Sequence, residues 1–343
     1  MTRAALWLHV LLCAVALGLA WNSAHQVKAK KGGPSSVVLL DADKGEVTEI
    51  TYTWDKGSTH TVVEGKEKSR SAVVDVDREV PKKKDPPKKK DPHEHEAPVE
   101  PEPEPVDVTP AEREKATLPG GKPVLTAIEA LEPLKTKRTL GVVDDAKLQA
   151  MGLKEPVRTL VVKTKSKTLT LELGEASYGA QGRYARVKGD STVHLIDAAI
   201  ATGLEGGSDA LLEKRLITAE LESIRGFSMK SGAETRTWLH VDKDQASRRY
   251  FGKSDDSAVK DEPAGKLMTT LRNLRGSKLA DPKATGTAAA SFVVDVDGQP
   301  VGIDILEREG GAGHLARVGR WTFELTPTQS KELLGDIDAA LGV

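Results

Sequence analysis

Alternating apolar and polar residues predict strands over much of the chain. Within Val47–Trp54, Ile50 and Tyr52 alternate with threonines, which is the period of a strand with one face in a core. The following DKGS is a turn sequence, and Thr59–Val63 is predicted to be the return strand of a hairpin. The same type of pattern recurs in VRTLVVKT, TLTLELGE, GRYARVKG and STVHLID.

Helical spacing replaces the alternation at three places. Apolar residues recur at intervals of three and four over Val124–Leu134, with Pro133 near the end of the predicted helix. The sequence DDAKLQAMGL predicts a second, short helix that is closed by Gly152. A third helix is predicted over Asp197–Leu204.

The second half of the chain repeats this order. AELESIRGFSMKSGAETRTWLHVDKD again predicts a hairpin, with Ile224 in the place of Ile50, and LMTTLRNLRGSKL again has helical spacing. GHLARVGRWTFEL mirrors GRYARVKGDSTVHLID, so that Ala316–Val318 corresponds to Ala185–Val187. Because the segments agree in the same order, we infer an internal duplication.

The expected fold is therefore α+β, with two tandem repeats of antiparallel sheet and flanking helices at 36–205 and 211–343. A loop rich in proline, lysine and glutamate at about 80–120 interrupts the first repeat. Eight prolines between Pro81 and Pro105 predict a disordered or polyproline-like segment. The second repeat has a shorter link at this position, so we interpret the stretch as an enlarged loop. As a spacer, it would extend the reach of the body by up to about 3.1 Å per residue.

Residues 1–24 predict a signal peptide or a membrane anchor. Arg3 precedes an apolar run over Ala4–Ala20, roughly 25 Å long as a helix, and tryptophans flank the run as they do at membrane interfaces. The run ends in a Gly-Leu-Ala sequence that a signal peptidase would accept, so cleavage is an alternative to the uncleaved anchor that we favour. The lysines after the run outnumber Arg3, so the positive-inside rule gives little support for export of the body.

Charge and composition argue against nucleic-acid binding. The 50 basic and 51 acidic side chains nearly cancel over 343 residues, so no global field attracts a polyanion. Aromatic residues make up 4%, and the predicted cores depend on aliphatic side chains. The one cysteine, Cys13, lies in the N-terminal apolar run, so the body folds without disulfides.

Candidate metal and nucleotide sites each lack part of the required pattern. His93 and His95 alternate with glutamates, but a proline-rich segment fixes no further ligands. Asp295 and Asp297 share a strand face, yet the other ligands of a calcium loop are missing, and a strand that enters an Asp-Gly turn is expected instead. PGGKP and GGAGH lack the rest of a phosphate loop, and we expect a turn before a helix and a hairpin connection.

The sequence contains no catalytic pattern of a known type. There is no G-x-S-x-G elbow, and the body has no cysteine nucleophile, so we expect no enzyme activity, cofactor or metal. Arg186 and Arg317 are the candidate partner-binding residues, because the two arginines occupy corresponding positions in the duplication and could meet an anionic partner. A structural ion pair or an amphipathic strand edge is the alternative for each arginine.

Several of these segments together resemble a known family. They are the N-terminal apolar run, LLDADKGEVTEITYTW, ALEPLKTKRTLGVVDDAKLQAMGL, LTLELGE, GRYARVKGDSTVHLID and GRWTFEL. In this order they resemble the bacterial domain-of-unknown-function family 4340, over most of the chain from about Val37. The proline-rich insertion departs from the family pattern.

The resemblance implies a single-pass protein of the bacterial inner membrane with its folded body in the periplasm. It also implies genomic neighbours that encode an ABC-type permease and an auxiliary subunit of the gliding-motility kind, but no catalytic residues. We therefore expect a non-enzymatic accessory or scaffold subunit of such a membrane complex. A binding module for cell-envelope glycan or peptidoglycan is the alternative, and an envelope hydrolase is a third hypothesis that lacks a nucleophile or metal spacing. The sequence does not define a small-molecule ligand.

Overall fold

Two nine-stranded sheets dominate the computed structural model, which describes residues 36–65, 70–80, 112–179, 182–281, 283–310 and 313–343. The strands are β1 Val38–Leu40, β2 Val47–Trp54, β3 Gly57–Glu64, β4 Ser71–Val80, β5 Glu112–Pro119, β6 Leu134–Lys135, β7 Arg138–Val142, β8 Arg158–Thr164, β9 Thr168–Ala176, β10 Gly182–Val187, β11 Thr192–Asp197, β12 Ile224–Ser231, β13 Glu234–Val241, β14 Tyr250–Lys253, β15 Asp256–Lys260, β16 Lys278–Leu279, β17 Gly286–Val296, β18 Gln299–Arg308, β19 His314–Val318 and β20 Trp321–Glu324. The helices are α1 Lys122–Ala130, α2 Asp145–Ala150, α3 Ala198–Thr202, α4 Ser208–Leu211, α5 Glu262–Asn273 and α6 Pro327–Leu341.

The two large sheets have the same connectivity. The first has the order β5-β4-β3-β2-β8-β9-β10-β11-β7, and the second has the order β15-β14-β13-β12-β17-β18-β19-β20-β16. β1 and β6 form a separate two-stranded sheet. Mostly antiparallel sheets with a few helices confirm the predicted α+β class. The shared order is what an internal duplication predicts.

The chain forms two compact units. The first consists of the described parts of Met1–Arg70, Asp77–Glu114 and Leu125–Glu205, and the rest of the described chain belongs to the second. Two short segments of the predicted first repeat, Ser71–Val76 and Lys115–Val124, group with the second unit. This division therefore does not coincide with the predicted repeats, and the repeat boundaries stay predictions.

A β-bulge at one position fixes the register in both sheets. The pairing shifts by one residue immediately after Val47 in β2 and immediately after Ile224 in β12. The shared bulge aligns Val47 with Ile224, and therefore Ile50 with Phe227. The expectation that Ile224 takes the place of Ile50 was wrong by three positions, because apolar alternation alone does not reveal a bulge.

In the second unit, α5 and α6 cover one face of the sheet. Leu267 and Leu271 of α5 and Leu333 and Ile337 of α6 share one core cluster with the inward-facing residues of the strands. Asp261 caps the N-terminus of α5. The remaining buried members of the cluster are Leu216, Ile217, Ile224, Phe227, Met229, Trp238, Phe251, Ala264, Met268, Leu274, Ala290, Phe292, Val294, Ile303, Ile305, Ala316, Phe323, Leu325, Ala340 and Leu341.

The proline-rich segment lies between two neighbouring strands. β4 ends at Val80 and β5 begins at Glu112, and the two strands are adjacent in the sheet. Residues 112–119, expected to belong to the loop, instead form β5, an edge strand too polar for the alternation to reveal. In the second sheet the corresponding strands are joined by Ser254 and Asp255 alone. A segment that begins and ends at adjacent strands does not lengthen the path from the N-terminus to the body, so the predicted role in extending reach was wrong.

The N-terminal predictions lie outside the described residues. These are the signal or anchor at 1–24 and the position of Cys13, and the same is true of the His93 and His95 pair. In the part of the chain that the structure describes, no helix combines the length and apolar character needed to span a membrane.

Candidate functional site

The two predicted partner-binding arginines lie at corresponding positions in the sheets. Arg186 is opposite Glu172, and Arg317 is opposite Asp304. The Nε and Nη2 atoms of Arg186 donate to Glu172 Oε2 at 2.9 and 2.6 Å. Arg317 Nε donates to Thr322 Oγ1 at 3.4 Å. Arg186 therefore has an internal carboxylate partner, whereas the hydrogen bond of Arg317 is to a hydroxyl, and a role for either in partner binding stays a prediction.

The motifs that sequence reasoning set aside have the expected local structures. PGGKP connects the end of β5 to the start of α1. The amide of Gly298 donates to Asp295 Oδ1 at 2.6 Å, and Asp297 and Gly298 both have positive φ, as in a tight hairpin turn. Within the described ranges, no group of three or more metal-ligating side chains is close enough to hold an ion.

The face of each sheet opposite its buried core residues, here called the open face, carries apolar residues at corresponding positions. Val62 on β3 and Leu239 on β13 are each opposite the first residue after the shared bulge. Val161 on β8 and Val293 on β17 are each opposite a hydroxyl residue of the central strand. Leu239 is 44% exposed and Val293 is 47% exposed, so these side chains project from the sheet into solvent.

Small residues surround the apolar side chains on the second open face. Gly226 is opposite Leu239, and Gly302 is opposite Val293. A Cβ atom added to Gly302 would meet nothing within 4 Å. Leu239 and Val293 therefore protrude from a surface of small residues, and a partner surface of complementary shape can cover them.

Three tryptophans lie among the described residues. Trp238 is fully buried and stacks on Phe227, with ring centroids 4.7 Å apart. Trp54 and Trp321 are half-buried, and they lie in different units. Trp238 therefore serves the core, and it is not accessible for stacking on a sugar.

A group of buried and half-buried polar side chains lies on the core face of the first sheet. We call Tyr52, Arg158, Arg183 and Glu205 the polar cluster. Tyr52 is in β2, Arg158 begins β8, Arg183 lies at a register shift in β10, and Glu205 follows α3. Tyr52 is 0% exposed and Arg183 is 7% exposed.

Glu205 is the shared partner of the cluster. The hydroxyl of Tyr52 donates to Glu205 Oε1. The same oxygen lies 3.4 Å from Arg158 Nε and 3.8 Å from Arg183 Nη2. Burial, reinforced by the hydrogen bond to Glu205, raises the pKa of the Tyr52 hydroxyl far above its usual range, so the phenol stays neutral and acts as a donor.

The remaining guanidinium contacts are few. Arg158 Nη1 donates to Glu175 Oε1 at 3.1 Å, and Arg183 Nη1 donates to the carbonyl of Gly174 at 2.9 Å. The Nε atoms of both arginines are buried and have no hydrogen-bond partner among the described residues. Burial lowers the pKa of Arg158, but the nearby Glu175, Tyr52 and Glu205 together outweigh burial, and the pKa of Arg158 is raised.

Sequence reasoning missed the polar cluster. Its members are more than a hundred residues apart at the extremes, and only the pairing of the strands brings them together. One signal was present: Arg158, Leu160 and Val162 alternate in β8, which places an arginine on the same face as two core residues.

The second unit contains a cleft of about 510 Å³. It lies between the start of α5, the end of α6 and the outer strands β14 and β15. Arg236 in this cleft donates to the carbonyl of Ala340 at 2.8 Å. The acidic and basic side chains that line the cleft are equal in number, so the cleft favours neither anionic nor cationic ligands. The lining residues are Arg236, Lys253, Asp256, Val259, Lys260, Asp261, Glu262, Pro263, Ala339, Ala340 and Gly342.

Comparison with known proteins identifies the family. Residues 121–290, about half of the chain, match the family described as "Domain of unknown function (DUF4340)". Through this segment the chain belongs to the DUF4340 family. The matched segment runs from the start of α1 into β17 and includes Arg158, Arg183 and Glu205 of the polar cluster. No curated protein and no solved structure matches the chain.

Proposed function

We propose that this protein is a non-enzymatic, membrane-anchored envelope protein that acts as an accessory or scaffold subunit of a membrane complex. The observation that carries the proposal is the repetition of apolar residues on the open faces: Val62 and Val161 in the first sheet, and Leu239 and Val293 in the second. Val62, Leu239 and Val293 are exposed, and Val161 is half-buried. Solvated sheet faces normally carry polar residues at such positions. Apolar side chains at the same two positions in both sheets favour a surface that a partner covers.

The partner that we propose is a protein, an ABC-type permease or its auxiliary subunit. This choice follows the family resemblance of the sequence. Genomic neighbourhood supports association and says nothing about mechanism. The proposed location is the bacterial inner membrane, with the N-terminal segment as a single-pass anchor and the two units in the periplasm.

Site-directed photo-crosslinking in native membranes tests this function. A photoreactive residue at Leu239 or Val293 should form an adduct with the permease or its auxiliary subunit. The same residue at Val259, which is 61% exposed on the edge strand β15, is the matched control and should give at least about tenfold less adduct. Recovery of the protein alone, or only with cell-wall material, would reject the accessory role and favour the glycan-binding module.

A charge on the open face supplies an independent measurement. Val293→Asp should reduce co-purification of the partner by about tenfold or more, because a desolvated carboxylate opposes docking. It should leave the melting temperature close to that of the wild type, since Val293 is on the solvent side of the sheet. Equal recovery of the partner with Val293→Asp and with Val259→Asp would contradict docking through this face.

A further inference from the structure

The second sheet shows that the fold does not need the polar cluster. The registers align Tyr52 with Met229, and Arg158 with Ala290. Met229 is 1% exposed and Ala290 is 2% exposed, so buried apolar side chains take the places of Tyr52 and Arg158 in the second unit. A buried ionic cluster generally stabilises a fold no better than such packing does. Its presence in one copy therefore calls for a role other than stability.

The cluster has more donors than acceptors. Each guanidinium group carries five N–H donors in a fork that matches an oxyanion. Glu205 Oε1 accepts from Tyr52 and is the nearest acid oxygen to Arg183, at 3.8 Å, which is longer than a hydrogen bond. Arg183 is more than nine-tenths buried, and its Nε lacks a partner within the described chain, as does Arg158 Nε. These donors suit an anion that can contact both arginines at once.

The position of Glu205 allows its carboxylate to move away from Arg158 and Arg183. Its side chain is 27% exposed, whereas Leu204 before it is fully buried. It is the last residue of the first unit, and Gly206 and Gly207 follow it, which allows local rotation of the chain. With its carboxylate displaced, Arg158 and Arg183 would face one further acidic partner within the described ranges, Glu175, so the vacated position would be positively charged.

We propose that Arg158, Arg183 and Tyr52 bind the oxyanion of a ligand, a carboxylate or a phosphate group, at the position that the Glu205 carboxylate occupies in this structure. The side chain of Glu205 competes with the ligand for this position. Binding therefore swings Glu205 outward at the point where the chain passes to Gly206. This site is separate from the open faces, and its test does not depend on the docking function.

The test removes the internal competitor from the full-length protein. Glu205→Ala should bind acetate or inorganic phosphate at least about tenfold more tightly than the wild type, measured by titration calorimetry and by the rise in melting temperature. Adding Arg183→Met to this variant should abolish the gain. Glu172→Ala is the matched control, because it removes a carboxylate from a single arginine, Arg186, and it should show no gain. Comparing acetate with phosphate tells which group the site prefers.

Several outcomes would contradict the proposed anion site. No anion-dependent gain in Glu205→Ala, or the same gain in Glu172→Ala, would overturn the proposal. If Glu205→Ala does not fold, Glu205→Gln keeps the side-chain volume and should show the same preference for anions. Failure of saturating acetate and phosphate to stabilise either variant would also overturn it. In the wild type, bound anion should speed hydrogen exchange of the Glu205 amide, which donates to the carbonyl of Ala201 at 2.9 Å, and an unchanged rate would refute displacement of Glu205.

Discussion

A single carboxylate joins the core of the second unit to one of its helices. Asp261 Oδ1 accepts from the amide of Ala264 at 3.0 Å and so caps α5, while Asp261 Oδ2 accepts from the indole Nε1 of Trp238 at 2.9 Å. Trp238 is fully buried, so this oxygen is the hydrogen-bond partner of its ring nitrogen. We predict that Asp261→Ala removes both interactions at once.

The magnitude follows from these two contacts. Loss of an N-cap costs about 1 kcal/mol. A buried donor left without an acceptor costs about 1–3 kcal/mol. Asp261→Ala should therefore lower the free energy of unfolding of the second unit by about 2–4 kcal/mol. In a Trp238→Phe background the indole N–H is absent, and the same substitution should cost only about 1 kcal/mol, like Thr326→Ala at the capping box of α6.

The double-mutant cycle is measured by urea denaturation, with hydrogen exchange of amides in β12 and β17 as the local probe. A local probe is needed because two units need not unfold together. The expected coupling energy between Asp261 and Trp238 is the difference between these two costs, about 1–3 kcal/mol. If Asp261→Ala costs the same with tryptophan and with phenylalanine at residue 238, the shared-carboxylate reasoning is refuted.

Three further predictions concern pH, packing and the insertion. Burial lowers the pKa of His240, so the unfolded state binds more protons than the folded state, and the free energy of unfolding should fall as the pH drops below about 6.5. The melting temperature of a His240→Gln variant should therefore fall less than that of the wild type between pH 7.5 and pH 5. Equal melting temperatures of the two proteins over this range would contradict the prediction. A Cβ at Gly174 would lie 2.0 Å from the carbonyl oxygen of Met151, so Gly174→Ala should cost about 1–3 kcal/mol in urea denaturation, and a cost no larger than that of Gly302→Ala would refute the clash. Replacing residues 81–111 by a two-residue turn should change the melting temperature by only a few degrees, and a larger loss would show that the segment stabilises the sheet.

The sequence predicted strands and helices well where one face of the element is buried. The alternation in Val47–Trp54 and the helical spacing near Leu267 and Leu271 correspond to β2 and α5. β5 was missed because its residues, EREKATLP, carry few apolar side chains to alternate. The bulges were missed for a related reason: one extra residue shifts the pairing without changing the local composition.

The candidate sites divide in the same way. Arg186 and Arg317 were identified because they recur in the duplication, and the registers place them at corresponding positions. The polar cluster was not identified, because its arginines and its carboxylate are distant in sequence and its chemistry depends on which strands are neighbours. Aligning the two copies by register, rather than by apolar residues, would have placed Tyr52 against Met229.

Comparison of the two sheets separates what the fold requires from what one copy has added. Both sheets keep the bulge and an apolar pair on the open face, the second pair being Leu239 and Val293, so a role based on these features would belong to both copies. Among the described residues the polar cluster exists in the first copy alone, where Tyr52 and Arg158 stand in the places of the buried apolar residues Met229 and Ala290 of the second. A ligand site there would make the two units inequivalent. A change at Glu205 should then alter anion binding and leave crosslinking through the open faces unchanged, whereas a change at Val293 should do the reverse.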